Sequence, residues 1–294
     1  MRLIHAKLIL MALFWASSYP LGRFMAHFEA PSVIVFFRLV VGFVALAVIA
    51  NHRGQFAIKI TRIYIGQFLF LGLTGFCAHN YLMFKALEHA QANTGAVING
   101  AIPIVVAVLD FLFFGRRLTG IAIFGVLLAF VGSATVVSHG EFGELLDGRI
   151  GYGEILFLLG VIGWSVFTIA SRELFGSMPP LTVTTYAALA GIILLLPGVA
   201  MNFETVIAVA SDPKLLLIIS IQSLLSISLG FVWFNEGVKV IGVANASLYL
   251  NLIPVFGVIL AAITLAEIPD GPLLIGGAMV IIALLLVTRT ETRA

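Results

Sequence analysis

The stretch ANTGAVINGAIPIVVAVLDFLF, residues 92–113, and its echo VANASLYLNLIPVFGVILAAIT, residues 243–264, decide how this chain is read. Each is an almost unbroken apolar run, about the 20 residues that an α-helix needs to cross roughly 30 Å of hydrocarbon. Shifted by 151 positions, Ala101-Ile-Pro103 meets Leu252-Ile-Pro254, and Asn93-Thr-Gly-Ala meets Ala244-Asn-Ala-Ser. The two stretches therefore point to a membrane-spanning chain and to a chain that repeats itself.

Neighbouring segments follow the same rule. Apolar runs of spanning length fall at 8–26, 32–50, 64–84, 92–113, 118–137, 152–171, 181–201, 215–235, 243–264 and 271–288. Of the 294 residues, 61% are apolar and only 10% charged, against about 25% charged in a soluble domain. A water-facing surface could not be built from that composition. Arg2 and Lys7 precede the first run as in a signal peptide, but the run continues to about Met25 and reads as a first transmembrane helix.

Lys and Arg fall unevenly between the connections. With the N-terminus placed in the cytoplasm, Arg2, Lys7, Arg53, Lys59, Arg62, Arg116, Arg117, Arg172, Lys239, Arg289 and Arg293 lie inside. Arg23, Lys85, Arg149 and Lys214 lie outside, and Arg38 falls within the second span. The positive-inside bias then puts both termini in the cytoplasm, as ten spans require.

The echo extends over the whole chain. A shift of 149 puts Trp15 on Trp164, Arg23 on Arg172 and Pro31 on Pro180; a shift of 151 puts Gly120 and Gly125 on Gly271 and Gly276. The expected fold is an all-α integral membrane protein of ten transmembrane helices in two inverted five-helix repeats. Residues 1–140 form the first repeat, 141–151 the connecting loop and 152–294 the second repeat. An odd number of spans per repeat turns the second upside down, a recurrent transporter plan with its site near the midplane.

These residues carry a family resemblance. Trp15 and Trp164, the pattern Ala86-Leu87…Asn93-Thr-Gly-Ala…Pro103 and its copy Gly237-Val238…Ala244-Asn-Ala-Ser…Pro254 resemble the drug/metabolite transporter superfamily of the EamA type. Within it the chain is similar to the bacterial amino-acid exporters. The family tends to place a Glu after the fourth helix of each half. Glu267 keeps that place in the second half and Arg116 replaces it in the first. The resemblance implies ten helices, alternating access, a central cavity and export of amino acids or similar metabolites across the inner membrane.

Signatures of catalysis are missing from the sequence: there is no His-Glu-x-x-His, no P-loop, no Gly-x-Ser-x-Gly and no cysteine pair, Cys77 being the single cysteine. The reading is a non-enzyme with no cofactor and no metal. A net charge of +2 suggests no nucleic-acid partner. The partners expected are a small-molecule substrate and the bilayer, with a monomer as the default.

Ionisable groups within spans are costly and are functional candidates. His79 can donate and accept for a substrate carboxylate or hydroxyl, or pack against a neighbouring helix. Arg38 can hold a carboxylate, brace carbonyls or snorkel outward. Uncharged candidates at similar depth are Trp15, Ser18 and Tyr19 in the first span, Asn99 in the fourth, Trp164 in the sixth, Gln222 in the eighth, and Tyr249 and Asn251 in the ninth. Each needs a partner at that depth, whether substrate or another helix. Pro20, Pro103 and Pro254 read as hinges or static kinks. Gly66, Gly72 and Gly75, and Gly120 and Gly125, read as packing faces.

No Asp or Glu lies near a span centre, which favours a facilitator or exchanger over an ion-coupled pump. The expected function is export of amino acids, larger neutral or aromatic ones included, by alternating access. The other reading is a drug or nucleotide-sugar carrier with proton coupling through His79.

Overall fold

A computed structural model describes residues 2–56, 62–115, 120–143, 151–242, 246 and 248–291. Lys59, Arg116, Arg117, Arg149, Arg293, residues 144–150 of the connecting loop and the Ala244-Asn-Ala-Ser motif, apart from Ala246, lie outside them. Among the described residues the structure is all-helical. The long elements are α1 (Arg2–Phe24), α2 (Pro31–His52), α3 (62–86), α4 (Ala92–Phe114), α5 (Gly120–Val137), α6 (Tyr152–Phe175), α7 (Pro180–Met201), α8 (Pro213–Ile241), α9 (Leu252–Leu265) and α10 (Gly271–Glu291). A short helix, Phe203–Ala210, lies before α8.

Six of these helices are long and apolar enough to cross a membrane: α1, α2, α4, α6, α7 and α8. Shorter apolar helices cover Ile123–Val137, Tyr249–Leu265 and Gly271–Leu286. Large side chains such as Phe113, Phe130, Leu217 and Ile263 face outward, while Arg38, His79, Thr182, Thr185, Gln222 and Ser223 are buried. Water would not tolerate that arrangement. Lipid does, because it is as apolar as the outer side chains and the backbone is satisfied within each helix.

Small residues set the helix contacts. A Cβ on Gly72 in α3 would fall 2.6 Å from the Ala190 Cβ and 2.7 Å from the Gly191 N in α7. One on Gly132 in α5 would fall 2.8 Å from the Gly276 carbonyl of α10. Gly66 and Gly120, expected on packing faces, have open space around them instead. In a helix that is apolar all round, glycine spacing alone does not reveal the packed face.

Two contacts recur at the repeat spacing. Gly42 of α2 lies against Ile227 of α8, and Gly191 of α7 lies against Phe76 of α3. Gly42 and Gly191 differ by 149, Phe76 and Ile227 by 151. The change of two falls in the connections, which span 53–61 in one case and 202–212 in the other. Phe76 and Ile227 each sit in a π-helical turn, Gly72–Ala78 within α3 and Leu224–Gly230 within α8.

The helix ends repeat as well. α4 and α9 both stop at a left-handed residue, Gly115 at φ 65° and Ala266 at φ 56°. Pro103 lies in the first turn of the helical stretch Ile102–Phe114, after a turn at Gly100-Ala101 that interrupts α4. Pro254 lies in the first turn of α9, after a 3₁₀ turn at Leu248–Asn251. The prolines thus follow real discontinuities in the helices.

Charged side chains tie the helix ends. Glu267 accepts the backbone N–H groups of Ala92 (2.8 Å) and Asn93 (3.2 Å), and pairs with Arg23 at 3.5 Å. It thereby satisfies donors that the start of α4 would leave open. Arg172, the counterpart of Arg23, pairs instead with Asp110. Glu236 bridges Lys7 (2.8 Å) and Arg53 (2.9 Å).

Candidate functional site

A cavity of about 110 Å³ lies where α1, α2, α3, α4, α6, α8, α9 and α10 meet. Polar groups and aromatic rings both line it. Arg38 supplies the only charge among the described lining residues apart from what His79 can carry. It is 2% exposed, at a depth where charge is expensive.

The guanidinium is held from three sides. Nε donates to Gln222 Oε1 (3.0 Å), Nη2 to Ser18 Oγ (3.1 Å) and Nη1 to Asn80 Oδ1 (3.4 Å). The Phe84 ring lies 4.7 Å from Arg38 Cζ. Gln222 Nε2 also donates to Ser18 Oγ at 2.7 Å, and Asn80 Nδ2 donates to the carbonyls of Gly75 (3.2 Å) and Phe76 (3.1 Å). The π turn of α3 thus supplies the carbonyls that orient Asn80, in keeping with the enrichment of such turns at functional sites.

His79 follows that turn directly. Its Nδ1 lies 2.9 Å from the Gly160 carbonyl of α6, a contact that assigns the proton to Nδ1 and leaves Nε2 as an acceptor. The imidazole lies 4.9 Å from the Trp164 ring, centroid to centroid. Trp15 and Trp164 meet at 6.4 Å, and Phe231 lies within 5.2 Å of the first and 6.1 Å of the second. The two indoles differ. Trp15 Nε1 donates to the Ser226 carbonyl at 2.8 Å, whereas Trp164 Nε1 makes no hydrogen bond among the described residues.

The profile of the EamA-like transporter family matches residues 3–138 and again residues 151–289. The chain belongs to that family. It is a multi-pass transporter of the inner membrane, in line with its apolar helices. Relatives include a probable terminal-alkyne amino-acid exporter of Streptantibioticus cattleyicolor, 27% identical over 96% of this chain and 92% of its own. The uncharacterized transporter YyaM of Bacillus subtilis is 23% identical, over 88% of this chain and 85% of its own. An uncharacterized transporter of Archaeoglobus fulgidus is 22% identical, over 96% and 99%. A solved crystal structure aligns over 99% of this chain and 97% of its own, with TM-score 0.57 and 17% identity, and shares the fold.

In this EamA-like transporter the cavity brings together Trp15, Ser18, Tyr19, Arg38, His79, Asn99, Pro103, Trp164 and Pro254. Three residues expected to contact substrate stand off it. Gln222 is behind Arg38, which it orients. Tyr249 bonds His5 through its hydroxyl, within a cluster around Leu8 and Met11. Asn251 is buried with its amide unpaired among the described residues and does not line the cavity. Pro20 is buried in α1 without lining it either. The Tyr19 hydroxyl is buried, and no hydrogen bond of normal geometry reaches it from the described residues.

Sequence reasoning passed over Asn80, Phe76 and Phe231, which line the cavity of this family member. The signal for Asn80 was present, a polar residue beside His79 in an apolar run. Phe76 and Phe231 carried none, being two of 24 phenylalanines.

Proposed function

We propose that this protein is a secondary transporter that exports amino acids, larger neutral or aromatic ones among them, or similar small metabolites, by alternating access and without ion coupling. The observation that carries the reading is the composition of the cavity, in which Arg38, His79 and Asn80 are joined by Trp15, Trp164, Phe76 and Phe231. Few polar anchors beside aromatic walls suit a molecule with one charged end and an apolar body. The volume admits several waters, or a small metabolite in their place. The relative named as a probable amino-acid exporter supports both the substrate class and the direction. No Asp or Glu lines the cavity among the described residues, which favours a facilitator or exchanger.

The same proposal takes 1–140 and 152–294 as inverted five-helix halves joined by 141–151, with both termini cytoplasmic. The Gly42–Ile227 and Gly191–Phe76 contacts, the matched π turns and the two separate family matches support it. Such a frame lets either half rock against the other around a fixed site.

Uptake of labelled phenylalanine and other amino acids into proteoliposomes tests the function. Saturable uptake, faster into preloaded vesicles and indifferent to an imposed pH gradient, is expected. Substrate-dependent collapse of the pH gradient would replace the facilitator with a proton-coupled carrier. Absence of saturable uptake for every amino acid would discard the substrate class, and saturable uptake without counterflow would discard the carrier mechanism.

A further inference from the structure

Arg38 is a buried cation held only by neutral groups. Its partners are an amide oxygen of Gln222, an amide oxygen of Asn80, the Ser18 hydroxyl and the Phe84 ring. None of the ion pairs among the described residues includes it. A guanidinium has five N–H donors. One each from Nε, Nη1 and Nη2 is used, which leaves one on each Nη without a hydrogen bond among the described residues. An arginine with donors left on both terminal nitrogens is suited to a carboxylate, which would also supply the missing negative charge.

The cradle is built rather than incidental. Gln222 is itself fixed on Ser18, and Asn80 on the carbonyls of the α3 π turn, so the guanidinium plane is oriented before any ligand arrives. The repeat spacing adds a second argument. The counterparts of Arg38, His79 and Asn80 in the later part of the chain are Ala187, Gly230 and Phe231. Arg38, His79 and Asn80 thus have no polar counterpart at those places, and Phe231 lines the cavity as an apolar group.

We propose that Arg38 is a carboxylate anchor and that the transported class is defined by one carboxylate on an apolar, preferably aromatic, body. Amino acids are one member of this class. The ammonium group is dispensable and the carboxylate is not. The proposal rests on reading the central cavity as the substrate site, and it narrows what that site accepts.

The test uses the full-length protein in detergent and its intrinsic tryptophan fluorescence, since Trp15 and Trp164 line the cavity. The probes are phenylalanine, 3-phenylpropionate and 2-phenylethylamine. The two carboxylates are expected to bind roughly 10- to 100-fold more tightly than the amine, as befits a hydrogen bond to a charged group. Arg38→Gln should erase that preference, and Arg38→Lys should keep part of it. Equal binding of the amine, failure of both carboxylates to bind, or an unchanged preference in Arg38→Gln overturns the proposal. Should Arg38→Gln not fold, the comparison of probes on the unaltered protein decides. Binding of 3-phenylpropionate without phenylalanine would remove the amino-acid reading and leave the anchor standing. Equal binding of phenylalanine and 2-phenylethylamine would do the reverse.

Discussion

The indole of Trp15 donates to the carbonyl of Ser226 at 2.8 Å, so α1 is tied to the π turn of α8 at the wall of the cavity. Trp164, its counterpart, makes no such bond among the described residues. Trp15→Phe should therefore lower stability by about 1 kcal/mol, the net worth of a buried hydrogen bond. Trp164→Phe should leave stability nearly unchanged and alter substrate affinity. Thermal unfolding in detergent, read beside a binding titration, separates the two effects. Equal loss of stability in both variants would contradict the asymmetry.

His79 and Tyr249 make a contrasting pair. His79 lines the cavity, whereas Tyr249 is engaged by His5 away from it. His79→Ala is expected to lower transport about tenfold or more in protein that still folds and inserts. Tyr249→Phe should keep the apparent affinity within about twofold. Both are read as concentration-dependent uptake in proteoliposomes, with gel filtration as the control for folding. Unchanged kinetics in His79→Ala would take that residue out of the site.

Gly72 and Gly66 lie six residues apart on α3 and should respond oppositely. A methyl on Gly72 meets backbone atoms of α7, which cannot move aside cheaply, so Gly72→Ala should cost about 1–3 kcal/mol. A methyl on Gly66 meets nothing within 4 Å, and Gly66→Ala should be neutral or stabilise by up to about 1 kcal/mol through the unfolded chain. Thermal midpoints of the two variants check the sign of each.

Ala266 ends α9 at φ 56°, in the left-handed region that a Cβ disfavours. Its counterpart Gly115 ends α4 without that penalty. Ala266→Gly is expected to raise stability by roughly 1 kcal/mol, and an unchanged or lowered midpoint would mean that the neighbouring Glu267 contacts depend on the alanine.

The extent of the long apolar helices was legible in the sequence, and rotation about each helix axis was not. Hydrocarbon thickness fixes how long an apolar run must be, so α1, α2, α4, α6, α7 and α8 stand close to where their lengths placed them. Which face of a run turns inward is carried by periodicity, and a helix that is apolar on every side has little of it. Gln222, Tyr249 and Asn251 were expected to face the cavity and do not line it. Trp15, Trp164, Arg38 and His79 were easier, because a bulky or charged group in such a run has few places to go. The π turns left no local trace. They lie where Gly72 and Gly75 approach α7 and α6, and where α8 packs against Gly42, contacts between residues distant in sequence.

Gly230 stands where His79 stands in the earlier part of the chain, and Phe231 where Asn80 stands. On the two-part plan proposed above, the two halves share a frame, and the polar groups at these places belong to the first half alone. On that plan the two routes into the cavity are related by the repeat, whereas Arg38, His79 and Asn80 are not repeated. A passenger anchored on Arg38 would then be gripped by the same end whichever door is open, and would leave the protein without having turned around inside it.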